Sequence, residues 1–149
     1  MNDSGAEKKY PITVSVDTSV PYTLKVSIPD LSVEPEDGGQ LIEWQLDEAL
    51  SKGGAEFVDL TACKPGFEWL SAPPPAAAIF GKAVRPKKDT LEIRDTHKAG
   101  SNSKGTWLYK LRVTYEGHTY ETPMAIDLLP AGETRTYMLV GSNPIIINR

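Results

Sequence analysis

The residues that could carry out metal chemistry in this chain are few and widely separated. Cys63, His97, His118 and Met124 are the residue types of a blue-copper site. In such a site the cysteine lies close in sequence to the second histidine and the methionine, whereas Cys63 lies far upstream of both histidines. The two histidines and one cysteine also lack the short paired spacing of a zinc motif. The sequence therefore predicts no metal and no cofactor.

The residues needed for nucleophilic catalysis are similarly sparse. A hydrolytic triad would have to use His97 or His118, both in or beside predicted turns, and no glycine-flanked nucleophile elbow is present. No glycine-rich loop opens a helix to bind phosphate. The carboxylates between residues 30 and 37 lack the Asp-x-Asp-x-Asp-Gly pattern of a calcium loop, and we expect them to be solvated. By default, we expect that the chain is not an enzyme.

One peptide bond near the C terminus could undergo chemistry of its own. Asn143 precedes Pro144, whose nitrogen carries no hydrogen, so the backbone attack that deamidates asparagine without cleavage is blocked. The side-chain amide of Asn143 could instead attack its own carbonyl, form a succinimide and expel Pro144. That reaction requires an oriented turn and a proton for the leaving nitrogen. The alternative, which we favour, is that the two residues only set the start of a final strand.

The elements that would position these residues are β-strands, because apolar and polar residues alternate between turn-forming residues. The pattern occurs at 12–16, 22–28, 40–46, 57–63, 90–95, 106–115, 118–122, 134–140 and 145–147, with an ambiguous segment at 125–129. Turns recur at a spacing of roughly 8–12 residues, and helical periodicity is limited to one turn at 47–52. The sequence therefore predicts an all-β fold, an antiparallel immunoglobulin-like β-sandwich of about eight or nine strands.

The same alternation predicts where individual residues lie. Trp44 shares a strand face with apolar neighbours and is expected in the core, and Cys63 is expected to be a small buried residue. Segments 90–95 and 106–115 flank a turn-rich region and are predicted to form a long hairpin, and 118–122 a second one. In 106–115 we expect the odd-numbered side chains in the core and the even-numbered ones largely in water.

Length and composition are those of one soluble domain. The chain has 149 residues, of which 40% are hydrophobic and 24% charged. We expect residues 1–9 to form a disordered tail and residues 10–149 a single domain. A net charge of −4 predicts no nucleic-acid partner. No signal or membrane-spanning segment is recognisable, and the lone Cys63 fits a reducing compartment, so we expect a cytoplasmic protein.

Two aromatic residues in the least regular segment, 64–88, could anchor a partner. Trp69 and Phe80 flank three consecutive prolines, and these apolar anchors favour an ordered loop over a disordered linker. A binding module would use this segment together with the loop 34–39 and the turn 96–105 at one end of the fold. The aromatic pair is therefore our candidate set of binding-loop anchors. The alternative, which we favour for this segment, is a structural loop that covers one end of the core.

The C-terminal segment also carries a family resemblance. Asn143-Pro144-Ile145-Ile146-Ile147-Asn148-Arg149 resembles the ending of the DP-EP family of uncharacterised bacterial β-sandwich proteins, in which Asp-Pro introduces an isoleucine-rich strand. Outside this tail the resemblance extends only to the spacing of the predicted strands along the chain. It implies a self-cleaving, aspartic-peptidase-like activity at the Asp-Pro bond. This sequence departs from the motif at Asn143, where the family has aspartate.

The sequence thus leaves two kinds of function open. The first is a binding or assembly module with an unknown protein partner, or with self-association through a sheet edge such as 145–147. The second is a self-processing protein that cleaves at Asn143–Pro144.

Overall fold

The fold was determined from a computed structural model, which describes residues 7–123 and 144–149. In this part of the chain two mixed β-sheets and one short helix surround a single hydrophobic core. The prediction of an all-β fold is confirmed. No helix among these residues is long and apolar enough to cross a membrane.

One sheet is a linear array of five strands, and the other is built around one long strand. The elements in chain order are β1 (Lys8–Val16), β2 (Leu24–Val26), β3 (Asp30–Val33), β4 (Gln40–Leu46), α1 (Glu48–Lys52), β5 (Glu56–Phe57), β6 (Phe67–Trp69), β7 (Val84–Lys87), β8 (Thr90–Asp95), β9 (Gly105–Tyr115), β10 (His118–Glu121) and β11 (Ile145–Asn148). The first sheet has the strand order β2-β1-β4-β8-β7. In the second sheet β9 pairs with β5, β6, β10 and β11, and β3 pairs with β11.

The antiparallel prediction is wrong for two pairs of strands. β1 pairs with β4, and β3 with β11, in parallel. Both pairs join strands that are separated by other elements of the chain, as parallel pairing requires. Alternation of apolar and polar residues reports which face of a strand is buried and carries no information about strand direction, so the sequence could not reveal these pairs.

One predicted hairpin forms and the other does not. β9 and β10 pair as a hairpin through Glu116 and Gly117, both at positive φ, as expected for a two-residue turn. The predicted hairpin of β8 and β9 is wrong, because β8 pairs with β4 and β7 in the first sheet while β9 is in the second. The connection between them therefore crosses from one sheet to the other.

The two sheets meet at Trp44, whose predicted core position is confirmed. Its side chain is fully buried, and its indole Nε1 donates a hydrogen bond to Tyr109 Oη at 3.0 Å. Its ring lies 5.2 Å from that of Phe67 and 5.1 Å from that of Tyr109, measured between centroids. Burial raises the pKa of the Tyr109 hydroxyl far above its ordinary value, so this hydroxyl stays neutral and fixes the indole between the sheets.

The even-numbered face of β9 is exposed at Thr106 and Thr114, as predicted, but not at its centre. Lys110 and Arg112 are buried there because β10 supplies a carboxylate to both and β6 supplies a second one to Arg112. Lys110 Nζ lies 3.2 Å from Glu121 Oε1, and Arg112 reaches Glu121 Oε2 at 3.1 Å and Glu68 Oε1 at 2.8 Å. Burying a charge costs desolvation free energy, and the ion pairs and hydrogen bonds to these two side chains offset that penalty.

Several predicted boundaries also shift. β1 begins at Lys8, inside the segment expected to be a tail. The predicted strand 57–63 ends early, because the Asp59 carboxylate accepts a hydrogen bond from Thr61 N at 2.9 Å and turns the chain. Cys63 is exposed rather than buried for the same reason. Segment 64–88, expected to be a loop, contains β6 and β7, whereas the predicted segments 125–129 and 134–140 lie outside the described residues.

Candidate functional site

The two predicted anchors line one groove beside β6. The groove has a volume of about 810 Å³, and Trp69 and Phe80 both contribute to its apolar lining. Pro74 and Pro75 extend this apolar wall, and Lys82 is its charged side chain. A concave, mainly apolar surface with a single charged group is the usual composition of a binding site for a small ligand or a peptide.

The aromatic side chains of the groove pack in a row that continues to Trp107, which does not line the groove. Ring centroids are 5.0 Å apart between Phe67 and Trp69, 4.8 Å between Trp69 and Phe80, and 5.3 Å between Phe80 and Trp107. Phe80 is only 4% exposed and forms the floor, whereas Trp69 is partly exposed. The groove is therefore preformed, with one indole accessible to a partner.

β6 positions Trp69 by pairing with β9. Arg112 N donates to Gly66 O at 3.0 Å, and Leu70 N donates to Leu108 O at 2.8 Å, on either side of the three-residue strand. A Cβ atom on Gly66 would lie 2.4 Å from the carbonyl oxygen of Val58, so only glycine allows the chain to enter β6 here.

The opposite wall is attached to β8. Gly81 N donates to Arg94 O at 3.0 Å, and Thr96 N donates to Ile79 O at 2.7 Å. The hydroxyl of Thr96 also donates to Ala78 O at 2.7 Å. These bonds connect the predicted turn 96–105 to the groove wall and hold the segment that carries Phe80.

A second cluster, which the sequence did not reveal, lies buried at the ends of β8 and β11. Asn148 Nδ2 donates to Asp95 Oδ1 at 3.0 Å and to Ser103 O at 2.8 Å. His97 Nδ1 lies 2.7 Å from Ser103 Oγ, and Gln40 Nε2 donates to His97 O at 2.8 Å. All five side chains are at most 3% exposed. We call these residues the polar cluster, and it joins the predicted turn 96–105 to the start of β4.

The electrostatics of the polar cluster are dominated by one carboxyl. Burial raises the pKa of Asp95 to about 7, and the hydrogen bond from Asn148 opposes this increase only in part. Among the described residues, Asp95 Oδ2, Asn148 Oδ1 and His97 Nε2 have no hydrogen-bond partner. Burial favours the neutral, protonated form of an acid. A proton on Asp95 Oδ2 would produce that form and would also give the carboxyl a hydrogen-bond donor.

The remaining sequence candidates do not form a site in the described residues. His97 belongs to the polar cluster, while His118 is exposed and its ring lies 4.7 Å from that of Tyr22. No group of three histidine, cysteine or carboxylate side chains suited to a metal ion occurs in residues 7–123 and 144–149. Met124, the other member of the copper set, lies outside these ranges.

The proline of the Asn143–Pro144 bond directly precedes β11 in the second sheet. Asn143 lies outside the described residues, whereas Pro144 is buried and its carbonyl accepts a hydrogen bond from Tyr109 N at 3.1 Å. The strand that follows pairs with β9 along one edge and with β3 along the other. Segment 145–147 is a strand, as predicted, but both of its edges are occupied within the chain, so it cannot pair with a neighbouring molecule.

No family model matches the chain, and no curated protein is similar enough in sequence to count as a match. The resemblance of the tail to the DP-EP family therefore stays a prediction. The groove and the polar cluster have to be interpreted from their own geometry.

Proposed function

We propose that this protein is a binding module that holds a segment of a partner protein in the Trp69–Phe80 groove. The supporting observation is that Trp69 is partly exposed above an apolar floor formed by Phe80. The volume of about 810 Å³ falls in the range of roughly 300–1,000 Å³ that is typical of ligand sites. We also propose that the two mixed sheets form an immunoglobulin-like sandwich, with the groove at its margin.

Aromatic and proline side chains suit this role because they offer rigid contact area. Tryptophan is enriched among the residues that dominate the energy of protein interfaces, and it loses little conformational entropy when it is covered. Phe67 and Phe80 already support the Trp69 ring from within the protein. A partner would therefore gain apolar contact without having to order the groove.

A selection from a phage-displayed library of random 12-residue peptides tests this proposal. We expect peptides selected on the wild-type protein to lose binding to Trp69→Ala and to Ala77→Arg. The second variant places a large side chain at an exposed position of the groove wall without removing core contacts. It keeps the test valid if loss of the indole destabilises the fold.

The matched control is Tyr22→Asn, which removes an exposed aromatic side chain that does not line the groove. Asparagine is suitable because Tyr22 has a φ of 51°, a value that asparagine tolerates better than most residues. Peptides that bind the wild type, both groove variants and the control equally would contradict the proposal. Failure of the selection to enrich any peptide would contradict it as well.

A further inference from the structure

The outer edge of β6, beside the groove, has no strand partner among residues 7–123 and 144–149. Within these ranges β6 pairs only with β9, through hydrogen bonds that flank it at Gly66 and Leu70. Because hydrogen-bonding groups alternate along a strand, the N–H and C=O groups of Phe67 and Trp69 point away from β9. The part of the chain that the structure describes provides no backbone partner for these four groups.

The other edge strand on this side of the molecule is protected against pairing. β7 contains Pro86, which has no N–H group, and its pairing with β8 is irregular between Val84 and Lys87. Proline, lysine and a bulge are among the means by which proteins prevent a sheet edge from adding another strand, as are short length and charge. β6 is only three residues long and its one charged side chain, Glu68, is paired with Arg112. It carries no proline, lysine or bulge, so its backbone groups are less protected than those of β7.

The side chains of the open edge and the groove belong to the same surface. Phe67 and Trp69 point to one face of β6 and line the groove with Phe80. A strand added to β6 would run about 4.8 Å from it and would direct every second side chain toward that face. Backbone pairing and side-chain insertion can thus occur in one bound conformation.

We infer that the ligand of the groove is an extended peptide segment that pairs with β6 as an additional strand, an inference that rests on the proposed function. The peptide supplies carbonyl and N–H groups to Phe67 and Trp69, which an apolar small molecule would leave unpaired. Its alternate side chains are apolar and enter the groove. An acidic residue is favoured beside Lys82, the charged side chain of the groove wall.

An N-methyl scan of a selected peptide tests strand addition directly. N-methylation removes one backbone donor at a time, and only amides that face β6 should matter. We expect affinity, measured by calorimetry, to fall at least about fivefold at every second position and to change little at the positions between them. The intervening positions serve as internal controls for the conformational effect of the methyl group.

Hydrogen exchange of the protein amides gives a second readout. Bound peptide should slow exchange of the Phe67 and Trp69 amides, which face outward, and leave Glu68, whose amide faces β9, nearly unchanged. A selected peptide that requires Trp69 but shows no two-residue period in the methyl scan would overturn strand addition and leave the proposed function intact. Equal binding to the wild type and to the Trp69→Ala and Ala77→Arg variants would overturn both.

Discussion

Replacing Asp95 by asparagine is predicted to remove the loss of stability that this carboxyl causes between about pH 4 and pH 8. Asp95 is fully buried, and its Oδ1 accepts a hydrogen bond from Asn148 Nδ2. Its Oδ2 and Asn148 Oδ1 lack partners among the described residues. Asparagine has nearly the same shape as a protonated carboxyl, and its Oδ1 can still accept from Asn148 Nδ2, so Asp95→Asn reproduces the neutral acid permanently.

The size of the effect follows from the pKa. Burial raises the pKa of Asp95 from an ordinary 3.8 to about 7, and each pKa unit corresponds to about 1.4 kcal/mol. Between these values the folded protein holds a proton that the unfolded chain has released, so stability decreases as the pH rises. The free energy of unfolding should therefore fall by up to about 4 kcal/mol between pH 4 and pH 8 and level off above the folded pKa.

Urea unfolding followed by tryptophan fluorescence measures this change at a series of pH values and constant ionic strength. We expect the variant to match the wild type near pH 4 and to be more stable by up to about 4 kcal/mol at pH 8. The variant retains every other ionisable side chain, so the difference between the two stability curves isolates the effect of Asp95. Parallel stability curves for the two proteins across this range would refute the assignment of a neutral, buried Asp95.

Three further measurements test other parts of the structure. Tyr109→Phe removes the acceptor of a buried indole N–H and should cost about 1–3 kcal/mol in urea unfolding; an unchanged midpoint would show that this bond does not stabilise the fold. Gly66→Ala should lower the free energy of unfolding by roughly 2 kcal/mol or more, because its Cβ atom would overlap the backbone of Val58. Gly81→Ala has room for a Cβ atom and should be tolerated, so equal losses in the two variants would contradict this account. Intact-mass spectrometry after prolonged incubation tests Asn143–Pro144, where a purely structural role predicts no loss of the 144–149 peptide and a succinimide route predicts its release.

Local features of the fold could be predicted from the sequence, and long-range pairings could not. The β9–β10 hairpin is encoded within a few residues by alternation and a Glu116-Gly117 turn. The partners of β8 depend on which distant strand offers a complementary edge, so sequence proximity to β9 was misleading. Alternation also could not show that the carboxylates of Glu68 and Glu121 would allow Lys110 and Arg112 to be buried.

For the candidate sites, too, local features could be predicted from the sequence and long-range contacts could not. Trp69 and Phe80 stood out because aromatic residues in a proline-rich segment need either a core or a partner, and the structure places both in one groove. The polar cluster had no such signal. Asp95 and Asn148 are 53 positions apart, and each ends a separate strand, so neither one alone indicates a buried acid. Only the packing of the first sheet against the second brings the end of β8 close to the end of β11.

The most direct test of the proposed function is a calorimetric titration of one selected peptide into Trp69→Ala, Ala77→Arg and Tyr22→Asn, each checked for folding by circular dichroism. A binding module that uses this groove predicts affinity reduced at least about tenfold in both groove variants and unchanged in the Tyr22 variant. Equal affinity of the peptide for all three variants would contradict the assignment of the groove as the binding site.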